Sequence, residues 1–423
     1  MDKILITGGK KLEGTVTISG SKNAVLPIMA AVILTKDKCN IKNVPAIRDV
    51  STMGQVISTL GAKISRTEDT INIDASDITS FEAPYELVKT MRASFLVLGP
   101  LLARFGKAKV SMPGGCAIGV RPVNIHLKGF EALGAKIEIG YGYIEASCSG
   151  PLRGGKIFLD FPSVGATENI MIAAALAKGE TIIENAACEP EIVDLADFLI
   201  SMGAKIKGAG TNNIIIDGQF EKGLHGADYK IIPDRIETGT FMVAALATGG
   251  NILIKNSRYD HLKTVIAKVE EAGGKIEIEN DDIRVRRIHE LKPVNIRTMP
   301  YPGFPTDIQA QFMALLCIAR GQSVITETVF ENRFIHVAEL NRMGAKIQIE
   351  GESAIINGAP YLTGAHVMAS DLRASAALII AGLLAHGETH IHRIYHLDRG
   401  YEKIEDKLVK LGADIKRVQG DYI

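Results

Sequence analysis

Apolar positions along the chain fall into two alternating patterns, and together they predict a recurring unit. In one stretch Ile192, Leu195, Phe198, Leu199 and Met202 recur at helical spacing, the mark of a helix that buries one face. A glycine follows directly, where a helix stop needs a left-handed residue at no steric cost. Short apolar runs come next, such as 63–65 and 71–73 on either side of Glu68-Asp69, and read as a strand pair. Upstream lies a second helix, rich in Ala, Gly and Leu. Its six copies are expected at 23–34, 91–105, 166–177, 237–247, 307–319 and 371–385. These segments are apolar nearly all round, which predicts burial inside a domain rather than on its surface.

The pattern repeats at a steady period. LGAKI occurs at 60–64 and 133–137, MGAKI at 202–206 and 343–347, AGGKI at 272–276 and LGADI at 411–415. The first glycines fall at 61, 134, 203, 273, 344 and 412, which are 73, 69, 70, 71 and 68 residues apart. Each unit therefore reads helix–strand–helix–strand–strand, with strands feeding shared sheets. A unit of about 70 residues buries its own faces poorly, so neighbours must pack together. A ring of six, an open solenoid and two clusters of three all remain possible. Two clusters suit the size at which single cores stop growing. The expected division is a first lobe at 22–231 and a second at 1–21 plus 232–423, with a short crossing and a cleft between them. The strand at 4–6 precedes any complete unit and is expected to complete a sheet of the far lobe.

Composition narrows the class. The 423 residues are 46% apolar and 23% charged, ordinary for a globular chain with a full-sized core. Lys+Arg and Asp+Glu both total 48, so no whole-chain field favours nucleic acid or an anionic membrane. No apolar run reaches the roughly 18 residues that span a bilayer, and the N-terminus lacks the apolar core of a secretory signal. Cys39, Cys116, Cys148, Cys188 and Cys317 are scattered, with neither a CxxC pair nor zinc spacing. A cytoplasmic protein with no metal is expected. All but Cys116 read as small buried hydrophobes.

Charge collects at the starts of the apolar helices: Lys22-Asn23, Arg92, Asp307 and Asp371-Leu372-Arg373. A helix N-terminus favours anions, so a cation placed there hints at an anionic ligand. A solvated helix-end charge is the competing reading. The run from Ser111 to Pro122 holds three glycines, two prolines and Cys116 near Arg121. It reads as a mobile lid bearing a reactive thiol, or as a turn with a structural cysteine. Ser163-Val164-Gly165 could cradle a phosphate or merely cap a helix. Arg333, Arg373 and Arg399 each have an acid nearby in sequence, so salt-bridge scaffolding competes with ligand binding. Asp307, behind Pro305-Thr306, is either an N-cap or a general base.

These residues in order resemble the UDP-N-acetylglucosamine 1-carboxyvinyltransferases of the enolpyruvyl transferase family. Gly20-Ser21-Lys22-Asn23-Ala24, the Cys116 loop with Arg121-Pro122, Pro305-Thr306-Asp307, Glu331-Asn332-Arg333-Phe334, Asp371-Leu372-Arg373-Ala374-Ser375 and Asp398-Arg399-Gly400-Tyr401 carry the likeness along the whole chain. The resemblance implies an α/β fold, a two-domain inside-out barrel with three repeats per domain. It implies transfer of the enolpyruvyl group of phosphoenolpyruvate to the 3′-hydroxyl of UDP-N-acetylglucosamine, with release of phosphate and no cofactor, as the first committed step of peptidoglycan synthesis.

Residue roles follow from the same resemblance. Lys22, Arg121 and Arg399 hold the phosphate of phosphoenolpyruvate, while Arg333 and Arg373 hold its carboxylate or stabilise closure. Asn23 contacts the sugar or the intermediate, Asp307 orients and deprotonates the attacking hydroxyl, and Asp371 joins the substrate-binding set. Cys116 protonates the methylene carbon and is the site alkylated by fosfomycin; some relatives carry an aspartate there. The nucleotide site comprises Arg92, Arg121, Pro122, Val123, Asn124, Ile125, Ser163, Val164, Gly165 and Val329. Two departures bear on it: Asn124 stands where the family commonly has Asp, and Phe161 where some members have Lys. The nearest rival is 5-enolpyruvylshikimate-3-phosphate synthase, which shares the architecture but is expected to lack the Gly-Gly-Cys lid. A non-catalytic repeat scaffold would need neither Cys116 nor Asp307.

Overall fold

A computed structural model describes residues 2–113 and 123–419. The expectations placed on Cys116, Arg121 and Pro122 lie outside the described residues. The chain forms two compact units, one of residues 20–113 and 123–232, the other of 2–19 and 233–419.

Each unit contains three four-stranded sheets. In the first unit the strand after each apolar helix, for example Lys38–Lys42, pairs antiparallel with the second strand of the hairpin, Thr70–Asp74, which in turn pairs with Lys63–Thr67. A short strand flanks it on the other side and runs parallel. Those flanking strands, Asp228–Lys230, Glu82–Ala83 and Lys156–Phe158, did not register in the sequence pattern. Two or three residues are too few for an alternation to show. The strand Asp228–Lys230 comes from the end of the third repeat and joins the sheet of the first, so the three repeats close on themselves.

The second unit follows the same plan, with two strands drawn from the N-terminal segment: Glu13–Thr17 flanks Asn251–Lys255 in parallel, and Asp2–Thr7 enters another sheet. The sheet of the sixth repeat runs His366–Met368, Glu388–His392, Asp2–Thr7, Asp414–Gln419. The N-terminal strand thus fills the hairpin position that the sixth repeat lacks, with Ile4 opposite both Ile391 and Arg417. Ile4 and Ile6 are fully buried there. The far-lobe strand expected at 4–6 is this one.

The apolar helices lie inside and the sheets outside. Lys22–Ala31, Leu98–Phe105 and Val164–Ala174 belong to the interior of the first unit; Arg235–Thr248, Thr306–Leu316 and Leu372–Leu384 pack on one another in the second. Small residues make this possible. A Cβ at Gly239 would stand 2.3 Å from Ile308 Cδ1 on the neighbouring helix. The segment expected as one helix at 91–105 is instead a 3-10 turn, Arg92–Val97, leading into the α-helix Leu98–Phe105. Pro100 fits the break: it falls in the first turn of the α-helix, where its missing N–H leaves no intrahelical bond unmade. The repeat glycines Gly61, Gly134, Gly203, Gly273, Gly344 and Gly412 all take φ between 91° and 117°, which ends the amphipathic helix of every repeat. Cys39 and Cys317 are buried as expected, but Cys148 and Cys188 are only half-buried.

Candidate active site

In the second unit three residues far apart in sequence meet at the start of one helix. Pro305 precedes Thr306–Leu316 in extended conformation, and Asp307 falls in the first turn. Arg333 Nη2 donates to Asp307 Oδ1 at 2.7 Å, and Arg373 Nη2 donates to Oδ2 at 2.9 Å. The arginine side chains are 5% and 4% exposed, against 26% for the carboxylate between them. Burial works against the Asp307 charge, but Arg373 and Arg333 outweigh it and hold the carboxyl well below the usual range. Burial likewise disfavours the Arg373 cation, and Asp307 more than restores it.

A second layer fixes the arginines. Arg333 Nη1 donates to Thr306 Oγ1 at 2.8 Å, and that hydroxyl donates to Glu327 Oε2 at 2.8 Å. Glu327 is 2% exposed, and its other oxygen accepts from Thr298 Oγ1 and from the backbone N–H groups of Val329 and Phe330. One buried carboxylate therefore holds both the loop at Val329 and the hydroxyl beside Asp307. Asp371 caps the helix Leu372–Leu384, accepting from the N–H groups of Arg373 and Ala374 at 2.8 and 3.0 Å. The guanidinium of Arg373 lies 5.6 Å over the Tyr401 ring. Tyr401 Oη meets Thr240 Oγ1 and Gln311 Nε2, and the same Gln311 nitrogen donates to the Asp307 carbonyl. His336 is pushed down to about 4 by burial, against the pull of Asp371 and with the help of Arg333, so its ring is neutral.

In the first unit Lys22 opens its helix and pairs with Asp49 at 2.8 Å, both nearly closed to water. Asn23 follows in the same turn. Of the residues assigned to the nucleotide, Arg92, Val123–Ile125 and Ser163–Gly165 lie near His126 in the first unit, whereas Val329 belongs to the second. Arg92 begins the 3-10 turn, Asn124 and Ile125 begin the helix Asn124–Ala132 directly after Val123, and Val164 and Gly165 begin the helix that Ser163 caps. The His126 ring sits edge-on to Phe95, and its Nδ1 lies 3.3 Å from Asn169 Nδ2. A Cβ on Gly165 would stand 3.4 Å from that ring. Burial and Arg92 push His126 down to about 3, so it packs as a neutral group. Phe161 is 41% exposed and contributes its carbonyl to the Ser163 N–H.

The structure thus unites Asp307, Arg333 and Arg373, places Asp371 and Val329 beside them, and clusters Arg92, Val123–Ile125 and Ser163–Gly165. The salt-bridge partners differ from the sequence neighbours. Neither Glu331 nor Asp371 pairs with the guanidinium close to it in the chain, and Asp398 pairs with Arg417 at 2.6 Å. Arg399 ends the 3-10 turn Ile394–Arg399, two residues before Tyr401. Sequence reasoning missed Asp49, His126 and Glu327. Nothing local marks them: each is an ordinary polar residue whose role comes from what folds against it. Among the described residues no group of three or more His, Cys, Asp or Glu side chains is placed to hold a metal ion, and no helix is long and apolar enough to cross a membrane.

Six outer sheets around inner helices, with a buried cation pair at a helix start, define an enolpyruvyl transferase architecture. Residues 6–408 match the EPSP synthase (3-phosphoshikimate 1-carboxyvinyltransferase) family, and the chain belongs to it. Within that family it is 59% identical over 421 residues to UDP-N-acetylglucosamine 1-carboxyvinyltransferase 2 of Carboxydothermus hydrogenoformans, covering 99% of this chain and 100% of that one. It is 57% identical to the UDP-N-acetylglucosamine 1-carboxyvinyltransferase of Trichlorobacter lovleyi, over 99% of each. Among solved structures, the enolpyruvyl transferase NikO from Streptomyces tendae superposes with a TM-score of 0.90 at 26% identity over 99% of both chains. EPSP synthase from Acinetobacter baumannii gives 0.78 at 20% identity over 99% of this chain and 100% of that one, a likeness of fold alone.

Proposed function

We propose that this chain transfers the enolpyruvyl group of phosphoenolpyruvate to the 3′-hydroxyl of UDP-N-acetylglucosamine, releasing phosphate, as the first committed step of peptidoglycan synthesis. The observation that carries this reading is the 57–59% identity, over nearly the full length, to relatives named for that transfer. The reaction belongs to the cytoplasm, where both small molecules are made, and calls on no metal, flavin or nucleotide cofactor.

In this reading the chemistry is addition followed by elimination. The sugar oxygen attacks C2 of the enol phosphate while Cys116 gives a proton to the methylene carbon. The tetrahedral adduct then loses phosphate from C2 and a proton from the methyl carbon, which restores the double bond. Lys22, Arg121 and Arg399 grip the phosphate, and Arg333 and Arg373 grip the carboxylate. Such clamps act by positioning and by meeting charge as it develops. Asp307 takes the hydroxyl proton. Arg92, Arg121–Ile125, Ser163–Gly165 and Val329 receive the nucleotide. The buried, doubly anchored arginine pair of the second unit supports the carboxylate assignment, because such a site suits a planar anion.

The direct test is phosphate release from phosphoenolpyruvate by the purified chain. Release should require UDP-N-acetylglucosamine and should not occur with shikimate 3-phosphate. Release driven by shikimate 3-phosphate instead would transfer the chain to the rival activity.

A further inference from the structure

We infer that Arg333 and Arg373 hold Asp307 as a stand-in for the carboxylate of phosphoenolpyruvate, and that arrival of that carboxylate releases Asp307 to act as the base. The inference rests on the assignment of the arginine pair to that carboxylate. Both oxygens of Asp307 are taken up by guanidinium groups, which leaves it a poor proton acceptor as it stands. A residue required to accept a proton is thus found in the state least able to do so.

The geometry says which member gives way. Arg333 is rooted through Thr306 to Glu327, and Arg373 by the Asp371 cap and the Tyr401 ring. Among the described residues the Asp307 side chain has no anchor other than the two arginines, and it is the most exposed of the three. Two cations and one anion leave a net positive charge, which attracts a second carboxylate. Arg333 Nε is buried and has no hydrogen-bond partner among the described residues, so a donor is in reserve for it. Once the incoming carboxylate takes over the guanidinium groups, Asp307 keeps its burial but loses the cations that opposed it. Its affinity for a proton then rises. Glu327, Asp371, Asp234, Tyr401 and His336 are the other titratable groups facing the triplet, and His336 is uncharged above about pH 4. The base is thereby switched on by the second substrate, and the sugar hydroxyl is deprotonated only when there is an acceptor carbon to attack.

Calorimetry with two unreactive phosphates tests this. Phospholactate keeps the carboxylate and phosphate but has no double bond; ethyl phosphate lacks the carboxylate. Asp307→Asn should bind phospholactate about tenfold more tightly than the parent, because no anion has to be displaced, while ethyl phosphate binding stays within about twofold. Circular dichroism and a melting curve establish that the variant is folded. Unchanged or weaker phospholactate binding by the folded variant overturns the inference. A measurement on the parent does not depend on the variant. If Asp307 becomes basic on displacement, phospholactate binding takes up a proton, so its affinity relative to ethyl phosphate should climb several-fold from about pH 8 to about pH 5.5. A flat ratio also overturns the inference. Parent enzyme that turns over yet fails these tests leaves the proposed reaction standing, whereas parent that does not turn over removes that reaction itself.

Discussion

Asp307 carries a full charge between two guanidinium groups that water barely reaches, so its chemistry is set by partners 26 and 66 residues away. The sequence marked all three members, but with the wrong pairings: it offered each arginine the nearest acid in the chain. An ion pair is decided by distance in space, and the acid that meets both guanidinium groups is Asp307. At Cys116 the reading is chemical. Cys116→Ser should leave the intact mass unchanged after fosfomycin treatment, while the parent gains one adduct. A serine variant that is still modified would move the reactive thiol to another cysteine. Cys39 and Cys317 are poor candidates for that, since burial pushes their thiols up to about 11 and about 12.

Among the elements, helix starts carry several of the candidate site residues: Lys22, Asp307 and Arg373. Asp371 does not face its neighbouring arginine as a salt bridge; it caps the helix that presents Arg373. Asp371→Ala should cost about 1 kcal/mol of stability and raise the KM for phosphoenolpyruvate. Asp371→Asn, which keeps an accepting oxygen, should restore most of both. An equal KM defect in the two variants would show that the charge matters rather than the cap. The repeat glycines act at the opposite helix end. Gly134 has φ 91° and open space where a Cβ would go, so Gly134→Ala isolates backbone strain from crowding. Denaturant unfolding should show a loss of about 1–2 kcal/mol. The glycines were legible because each recurs at one place in a periodic pattern. The short parallel flanking strands were not, because a two-residue strand has no period.

Across the whole molecule, the N-terminal strand is the clearest case of a long-range dependence. Asp2–Thr7 lies between Glu388–His392 and Asp414–Gln419 and pairs with both. Deleting residues 2–7 should strip hydrogen-exchange protection from those two strands and destabilise the second unit, leaving strands such as Thr70–Asp74 in the first unit protected. Protection retained at 388–392 would mean that the sheet closes without its third strand. The six-fold repeat foretold the mixed helix-and-strand unit, because periodicity is a local property repeated along the chain; the grouping of three units per lobe rested on the size at which single cores stop growing. The strand at 4–6, lying ahead of any complete unit, was legible as the closing strand of a far-lobe sheet, but nothing in the repeat showed that the first unit takes its closing strand from the end of the third repeat.

Local sequence by itself determined which segments are apolar enough to lie inside, where the amphipathic helices stop and which side chains carry charge to the helix starts. Side-chain size, helical spacing and glycine's tolerance of positive φ act within a few residues, so they can be read from the chain in order. Only the tertiary structure decided that Asp307 sits between Arg333 and Arg373, that Glu327 anchors the loop beside them, and that Lys22 is matched with Asp49. Electrostatic partnership in a buried site depends on separations of a few ångströms and on the exclusion of water, and neither exists until the chain has folded.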